Sequence, residues 1–129
     1  MTTNQPTGFL LSDDMIFTSR ITGIAGYYEL DLKVVPSAER LQAEAPDANP
    51  SCVIVDVHNP GLQIDDLVTF LRKHCEPSLF ILGYGSHVAA DVLKAARQAG
   101  CDLVLPRSKF VEDMPNEMPN WFAGKKEEA

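Results

Sequence analysis

The chain has 129 residues, of which 45% are hydrophobic and 22% are charged, and this composition fits one globular domain with its own core. Its net charge of −7 disfavours direct binding to nucleic acid, and no apolar run approaches the roughly 20 residues that cross a membrane. Three cysteines without paired spacing indicate neither a disulfide framework nor a zinc site. Because the first residues lack a secretion signal, we expect a cytoplasmic protein.

The first half of the chain alternates between strand patterns and helical stripes. Residues 8–12 form the first predicted strand. In the second, 30–34, apolar residues alternate with Asp31 and Lys33, as in an edge strand with one exposed face. A helical stripe follows each strand. The stripes contain Phe17, Ile21, Ile24 and Tyr28 in the first helix, and Ala38, Leu41 and Ala45 in the second.

The second half repeats this alternation with more strongly apolar strands. Residues 52–55 and 79–82 are continuous apolar runs, typical of central strands that are covered on both faces, and 103–105 form a fifth strand. Two further helical stripes contain Ile64, Leu67, Val68 and Leu71, and then Val88, Val92, Ala95, Ala96 and Ala99, with Gly100 ending the fourth helix. Beyond the fifth strand, Pro115 and Pro119 predict a last helix that is short or broken.

Strands that alternate with helices predict a parallel sheet covered by helices on both faces. We therefore predict an α/β fold of the flavodoxin-like type. It would be doubly wound in three layers, with five strands in the order 2-1-3-4-5. The domain is assigned to residues 8–123, with a flexible leader at 1–7 and a frayed tail at 124–129.

Three aspartates are predicted to lie at one edge of this sheet. Asp13 and Asp14 follow the first strand and Asp56 ends the third, where doubly wound sheets bind their ligands. Grouped carboxylates repel one another, and Mg²⁺ relieves this repulsion while it recruits phosphate oxygens. An aspartate beside the ion can accept a phosphoryl group. Two simpler interpretations stay open, namely a helix cap at Asp13 or Asp14 and an Asx turn at Asp56.

Three segments resemble response-regulator receiver domains, which have a CheY-like fold, and the likeness runs from about residue 8 to residue 110. The segments are FLLSDD at 9–14, VIVDVHNPGL at 53–62 and AARQAGCDLVLPRSKF at 95–110. The resemblance implies that Asp56 is the phosphoacceptor. It implies that Asp13, Asp14 and Asp56 bind Mg²⁺, together with the backbone carbonyl of His58.

The chain departs from the receiver pattern at two places. Receivers carry a Thr or Ser at the end of strand four, where this chain has Gly83 if one counts from the strand or Gly85 if one counts back from Gly100. Receivers also carry a Lys after strand five. Arg107 falls at that position by its offset from Gly100, and Lys109 lies two residues later. Either cation is a candidate charge clamp, and the missing hydroxyl predicts a weakened switch.

Simpler interpretations apply to residues near these departures. Ser86 is the nearest substitute for the hydroxyl, but it is better interpreted as the N-cap of the fourth helix. His58 and His87 lack other ligands at metal spacing and are predicted to be solvated loop residues. Tyr84 is similar to the aromatic residue that reports the switch state in receivers.

Together these features predict a divergent receiver module of phosphorelay signal transduction rather than an enzyme. Because no output domain follows, we expect it to act through contact with a sensor histidine kinase, another signalling protein or a second copy. The surface expected to make this contact consists of the fourth helix, the fifth strand and the C-terminal segment. One rival interpretation is a pseudo-receiver that binds proteins without phosphorylation. Another is a small enzyme or nucleotide-binding protein, for which the chain offers no motif.

Overall fold

A computed structural model describes residues 7–124, in which five strands and five helices alternate. The elements are β1 Thr7–Leu11, α1 Met15–Tyr27, β2 Asp31–Val35, α2 Ala38–Ala48, β3 Cys52–Asp56, α3 Ile64–His74, β4 Phe80–Gly85, α4 Ala90–Ala99, β5 Leu103–Pro106 and α5 Arg107–Phe122. Of the predicted leader at 1–7, only Thr7 is described, and it begins β1. Of the predicted tail at 124–129, only Gly124 is described.

The sheet is parallel throughout and has the strand order β2-β1-β3-β4-β5. The predicted flavodoxin-like topology is therefore confirmed. Strand β2 lies at an edge and alternates exposed with less exposed residues, whereas every residue of β3 and β4 is buried. Periodicity along the strands thus predicted correctly which strands are central, because a strand covered on both faces must be apolar at every position.

Helices cover both faces of the sheet. Helices α1 and α5 share one hydrophobic cluster with one face of β1, β3 and β4, while α2 and α3 pack on the opposite face, with α4 beside them. Each central strand contributes alternate side chains to the two clusters, as the pleat requires. Among residues 7–124, no helix has the length and apolarity needed to span a membrane.

The last helix is longer than the sequence predicts. Helix α5 runs without a break from Arg107 to Phe122, although it contains Pro115 and Pro119. Pro119 has no N–H for the carbonyl of Pro115, and the hydroxyl of Tyr28 donates to that carbonyl instead. A buried stripe holds the helix on the sheet; it consists of Phe110, Met114, Met118, Trp121 and Phe122. Tertiary packing and one hydrogen bond from Tyr28, the C-cap of α1, therefore compensate for a poor helical sequence.

The fourth strand and fourth helix also differ from their predicted bounds. Strand β4 continues past 82 to Gly85, and α4 begins only at Ala90. Ser86 is therefore not the N-cap, which is Ala89; the Ser86 hydroxyl instead accepts the N–H of Val88 at 3.3 Å, within the connecting loop. The predicted end of α4 is confirmed, because Gly100 caps it with a φ of 112°.

Candidate functional site

The predicted acidic residues lie at the carboxyl end of the sheet, where β1 and β3 are neighbours. Leu11 pairs with Val55, so the loop that follows β1 and the last residue of β3 meet at this edge. Asp13 is exposed, whereas Asp56 is buried with 5% of its surface accessible. The two are close enough for the charge of Asp13 to raise the pKa of Asp56. Parallel pairing thus brings these two carboxylates together, as predicted.

Asp56 is held in a defined orientation by the loop that follows it. The backbone N–H of His58 donates to Oδ1 of Asp56 at 2.9 Å, which is the Asx turn that the sequence left open. Burial raises the pKa of the Asp56 carboxyl group above its ordinary value. The hydrogen bond from His58 and the nearby charges of Arg107 and His58 oppose that rise without cancelling it. The environment therefore destabilises the carboxylate form relative to solvent.

This raised pKa predicts how stability depends on pH. The native carboxyl group binds its proton more tightly than the unfolded one, whose pKa is 3.8. Its contribution to stability is therefore fully present below pH 3.8 and is lost as the pH rises through the native pKa. We expect Asp56→Asn, whose side chain cannot ionise, to become more stable relative to the wild type as the pH rises from 3.8 to neutrality. Urea denaturation at several pH values measures this difference.

The matched control is Asp31→Asn, which removes an exposed carboxylate from the edge strand β2. Because it removes the same unit of charge from an exposed position, it separates the effect of burial from that of net charge. A difference between Asp56→Asn and the wild type that stays constant over the same pH range would contradict the assignment of Asp56 as a buried acid with a raised pKa.

Asp14 has a different role from its neighbour. It is the N-cap of α1, and its Oδ1 accepts the N–H of Phe17 at 3.0 Å. The capping interpretation therefore holds for this residue. Across residues 7–124, no group of three or more His, Cys, Asp or Glu side chains is placed to hold a metal ion. Mg²⁺ binding by Asp13, Asp14 and Asp56 stays a prediction.

The two candidate cations occupy different environments. Lys109 forms an ion pair with Asp113 on α5, with Nζ 3.1 Å from Oδ1. The guanidinium of Arg107 lies 5.2 Å from the ring centroid of Phe17 and 6.0 Å from that of Tyr84. From there its charge lowers the pKa of Asp56, although the two side chains form no direct ion pair. The charge of Arg107 therefore acts on Asp56.

Solved structures of response-regulator receiver domains share this architecture. A response regulator from Chloroflexus aurantiacus J-10-fl has a TM-score of 0.80 and 19% identity, with 93% of this chain and 99% of that chain covered. The receiver domain of NtrX from Brucella abortus has a TM-score of 0.76 and 15% identity, with coverages of 90% and 98%. The beryllofluoride-activated NtrC4 receiver domain dimer has a TM-score of 0.72 and 13% identity, with coverages of 89% and 98%. The chain has the receiver fold.

No protein-family model matches the sequence, and no curated protein matches it. At the low identities above, similarity to solved structures establishes the receiver fold and not the roles of individual residues. Those roles must be argued from the side chains that this chain places at the carboxyl end of its sheet.

The end of β4 is where this receiver fold lacks the expected hydroxyl. Gly85 is the last residue of β4 and pairs with Pro106, directly before Arg107, whereas Gly83 lies inside the strand. The end of the strand therefore favours the count back from Gly100. A Cβ atom added at Gly85 would lie 2.5 Å from Cγ2 of Val57 and 3.0 Å from Nε2 of His58. The side chains that follow Asp56 occupy the space in which a Thr or Ser would stand.

The imidazole of His58 connects the two loops beside Asp56. Its Nε2 accepts the backbone N–H of Ser86 at 2.9 Å. The sequence predicted His58 to be a solvated loop residue; the side chain is exposed, yet it is also a fixed link. No local spacing could have indicated this contact, because it joins residues 28 positions apart.

Two further residues border the site: Ser12, which the sequence analysis did not single out, and Tyr84, which it compared with the switch aromatic of receivers. The buried hydroxyl of Ser12 accepts the N–H of Asp14 at 3.1 Å and so orders the acidic loop. Tyr84 is fully buried and stacks on Phe110 with ring centroids 4.5 Å apart. Burial, and next the charge of Asp56, raise the pKa of the Tyr84 hydroxyl. The sequence offered a signal for Ser12, because a serine shortly before an N-cap aspartate can hydrogen-bond to the backbone of that loop. The environment of Tyr84 could be assigned only once the end of β4 was known.

Proposed function

We propose that this chain is a signalling module in which Asp56 accepts a phosphoryl group. The observation that carries the proposal is the burial of one aspartate at the carboxyl end of a central strand, with a hydrogen bond to Oδ1 and a cation nearby. The receiver fold supports a role in signal transduction. In this proposal the chain is a phosphorylated switch and not an enzyme.

The chemistry follows from the two carboxylate oxygens. Oδ1 of Asp56 accepts the N–H of His58, so we assign Oδ2 as the attacking atom. A new P–O bond forms at Oδ2, and the bond between phosphorus and the leaving group of the donor breaks, with the electron pair departing on that group. The charge of Arg107 favours the ionised nucleophile and offsets negative charge on the transferring group. Arg107 is therefore proposed as the charge clamp, a role in which Lys109, paired with Asp113, is disfavoured.

The proposed switch is weak. A hydrogen bond to a charged group contributes about 1.5–3 kcal/mol, and conformational coupling between sites is typically about 1–3 kcal/mol. With Gly85 in place of the hydroxyl, the contact that would link phosphorylation to movement of the β4–α4 loop is missing. The free energy of the missing hydrogen bond is as large as the coupling free energy, so phosphorylation is expected to change the conformation of the loop little.

Mg²⁺ and the partners complete the proposal. Mg²⁺ binding by Asp13, Asp14 and Asp56 with the carbonyl of His58 requires Asp14 to release the N–H of Phe17, because that carboxylate is the helix cap. We propose a sensor histidine kinase or another signalling protein as partner, and a cytoplasmic location. Dimerisation is proposed by analogy with the NtrC4 receiver domain dimer, and α4, β5 and α5 are proposed as its surface in this chain.

A second candidate function is a pseudo-receiver that binds partner proteins without phosphorylation. Three observations favour it: Asp14 is committed to the helix cap, the described residues place no three acidic groups around one ion, and Val57 fills the hydroxyl position. In this alternative the buried Asp56 is a structural residue that ends β3 and orders the following loop through its Asx turn.

Phosphorylation of Asp56 is testable by intact mass spectrometry. Incubated with a small acyl phosphate and Mg²⁺, the wild type is expected to gain one phosphoryl group, since it offers one buried and oriented carboxylate. Asp56→Asn is expected to gain none. A parallel incubation with EDTA tests the metal, and Asp31→Asn is the matched control for an exposed carboxylate. No mass gain in the wild type with any donor would reject the phosphoacceptor in favour of the pseudo-receiver.

A further inference from the structure

A cleft lies beside Arg107, and its lining residues are outside the acidic loop. It has a volume of about 380 Å³ and is lined by Ser86, His87, Arg107 and Ser108. Asp56 does not line it. The cleft therefore lies between the β4–α4 loop and the first turn of α5, and its volume falls within the range of pockets that hold small organic ligands.

The lining of this cleft consists of groups that bind anions. Arg107 bears a positive charge, His87 and the two serines offer N–H and O–H donors, and none of the four is acidic, in a protein with a net charge of −7. The Nε atom of Arg107 is buried and has no hydrogen-bond partner. A buried donor of this kind is costly unless an acceptor satisfies it.

The start of α5 adds to the same preference. Pro106 is the N-cap of this 16-residue helix and provides no side-chain cap, and its first turn contains no acidic residue. The backbone N–H groups of this turn therefore lack the usual carboxylate or hydroxyl, and the helix dipole favours negative charge there. Arg107 and Ser108, which line the cleft, are the first two residues of this helix.

We propose that this cleft binds a small organic oxyanion, a phosphate monoester or a carboxylate, without covalent chemistry. The guanidinium of Arg107 pairs with the oxyanion, and the hydroxyls of Ser86 and Ser108 complete its hydrogen bonds. The site requires neither Mg²⁺ nor the carboxylate of Asp56, so it goes beyond the phosphorylation proposed above. A ligand here would regulate the module by occupying the cation that otherwise offsets Asp56.

The chain contains its own reporter of this binding. Arg107 lies over Phe17 and Tyr84, Tyr84 stacks on Phe110, and Phe110 stacks on Trp121 with centroids 5.5 Å apart. Trp121 is the single tryptophan of the chain. A ligand that displaces Arg107 along its aromatic neighbours is therefore expected to change the fluorescence of Trp121, even though that residue lies at the far end of α5.

The experiment titrates the full chain in EDTA with phenyl phosphate, benzoate and phenol, and follows Trp121 fluorescence and calorimetric heat. Phenyl phosphate or benzoate is expected to bind, and phenol, which lacks the anion, is expected not to bind. Binding by both anions assigns a general oxyanion site, and binding by phenyl phosphate alone assigns a phosphate site. Equal binding of phenol, or no binding by either anion at millimolar concentration, would overturn the proposal.

Three variants locate the binding. Arg107→Gln is expected to weaken phenyl phosphate binding by about tenfold or more, the size of a lost charge-assisted hydrogen bond. Lys109→Gln removes one positive charge two residues away, from a side chain paired with Asp113 and outside the cleft, and is expected to bind as the wild type does. Asp56→Asn is expected to retain binding or strengthen it, because Arg107 no longer faces a competing carboxylate.

These outcomes also separate the cleft from the phosphoacceptor. Loss of phenyl phosphate binding in Asp56→Asn would contradict an independent cleft, whereas failure to phosphorylate Asp56 would leave the binding result unchanged. Equal weakening in Arg107→Gln and Lys109→Gln would reduce the effect to net charge and reject the site. Thermal unfolding followed by circular dichroism verifies that each variant is folded. If Arg107→Gln does not fold, Arg107→Lys replaces it. This variant keeps the charge but lacks the paired N–H donors of the guanidinium, and it is expected to bind phenyl phosphate more weakly than the wild type.

Discussion

Replacing Trp121 with Ala is expected to lower the free energy of unfolding by about 3–5 kcal/mol. Trp121 is among the largest fully buried side chains of the described residues and stacks on Phe110 at an interplanar angle of 9°. It belongs to α5, which lacks two helical N–H donors at Pro115 and Pro119 and therefore depends on packing more than an ordinary helix does. The loss combines the transfer energy of the indole with the cavity that it leaves.

The matched variant is Trp121→Phe. The indole Nε1 of Trp121 is buried without a hydrogen-bond partner, so Phe keeps the stacked ring and removes an unsatisfied donor. We expect a cost below about 1.5 kcal/mol. Urea unfolding followed by far-ultraviolet circular dichroism measures both variants, since tryptophan fluorescence is lost. Equal costs for Ala and Phe, or a cost for Ala below that of Phe, would show that α5 is not held by this stack.

The sheet could be predicted from the sequence because its signals are local. The alternation of Asp31 and Lys33 with apolar residues marked β2 as an edge strand, and the unbroken run at 52–55 marked β3 as central. Two central strands and one edge strand then favoured the strand order 2-1-3-4-5. Each of these signals reflects the burial of a strand face. The side chains on one face stand at every second residue, so the sequence of a single strand shows whether one face or both are apolar.

The last helix could not be predicted because its stability is not local. Pro115 and Pro119 indicate a break to any method that considers helical hydrogen bonds alone. The compensating hydrogen bond comes from Tyr28, 87 residues earlier in the chain. For the same reason the length of β4 was underestimated, since Gly83 and Gly85 are poor strand residues that tertiary packing nevertheless holds in the sheet.

The candidate site was predicted in part. Residue type and strand ends placed Asp13 and Asp56 together, but they could not decide that Asp14 would cap α1 and so leave the group. They also could not choose between Arg107 and Lys109. That choice depends on the helical spacing from Lys109 to Asp113, which becomes meaningful only once α5 is known to begin at Arg107.

Placing Thr at Gly85 is expected to destabilise the fold by about 1–3 kcal/mol and not to restore a switch. The added Cβ would lie 2.5 Å from Cγ2 of Val57 and 3.2 Å from Cδ2 of Leu93. Val57 cannot easily move away, because its side chain is short and buried and its N–H donates to the carbonyl of Tyr84 at 3.0 Å. Urea denaturation measures the cost. The matched control is Gly23→Ala on α1, where an added Cβ meets nothing, and a gain of about 0.5–1 kcal/mol is expected.

The double variant Gly85→Thr with Val57→Ala distinguishes a steric cause from a general intolerance of side chains in β4. Truncating Val57 opens the space that the threonine needs, so the combined cost is expected to be smaller than the sum of the single costs by about 0.5–3 kcal/mol. Simple additivity would contradict the steric explanation. With the hydroxyl accommodated, the double variant should also respond to phosphorylation of Asp56 more strongly than the wild type, because the loop after β4 would regain the hydrogen bond that Gly85 cannot make. Hydrogen exchange of that loop, with and without an acyl phosphate, measures the response, and an unchanged response in a folded, phosphorylated double variant would show that more than one hydroxyl separates this chain from a working switch.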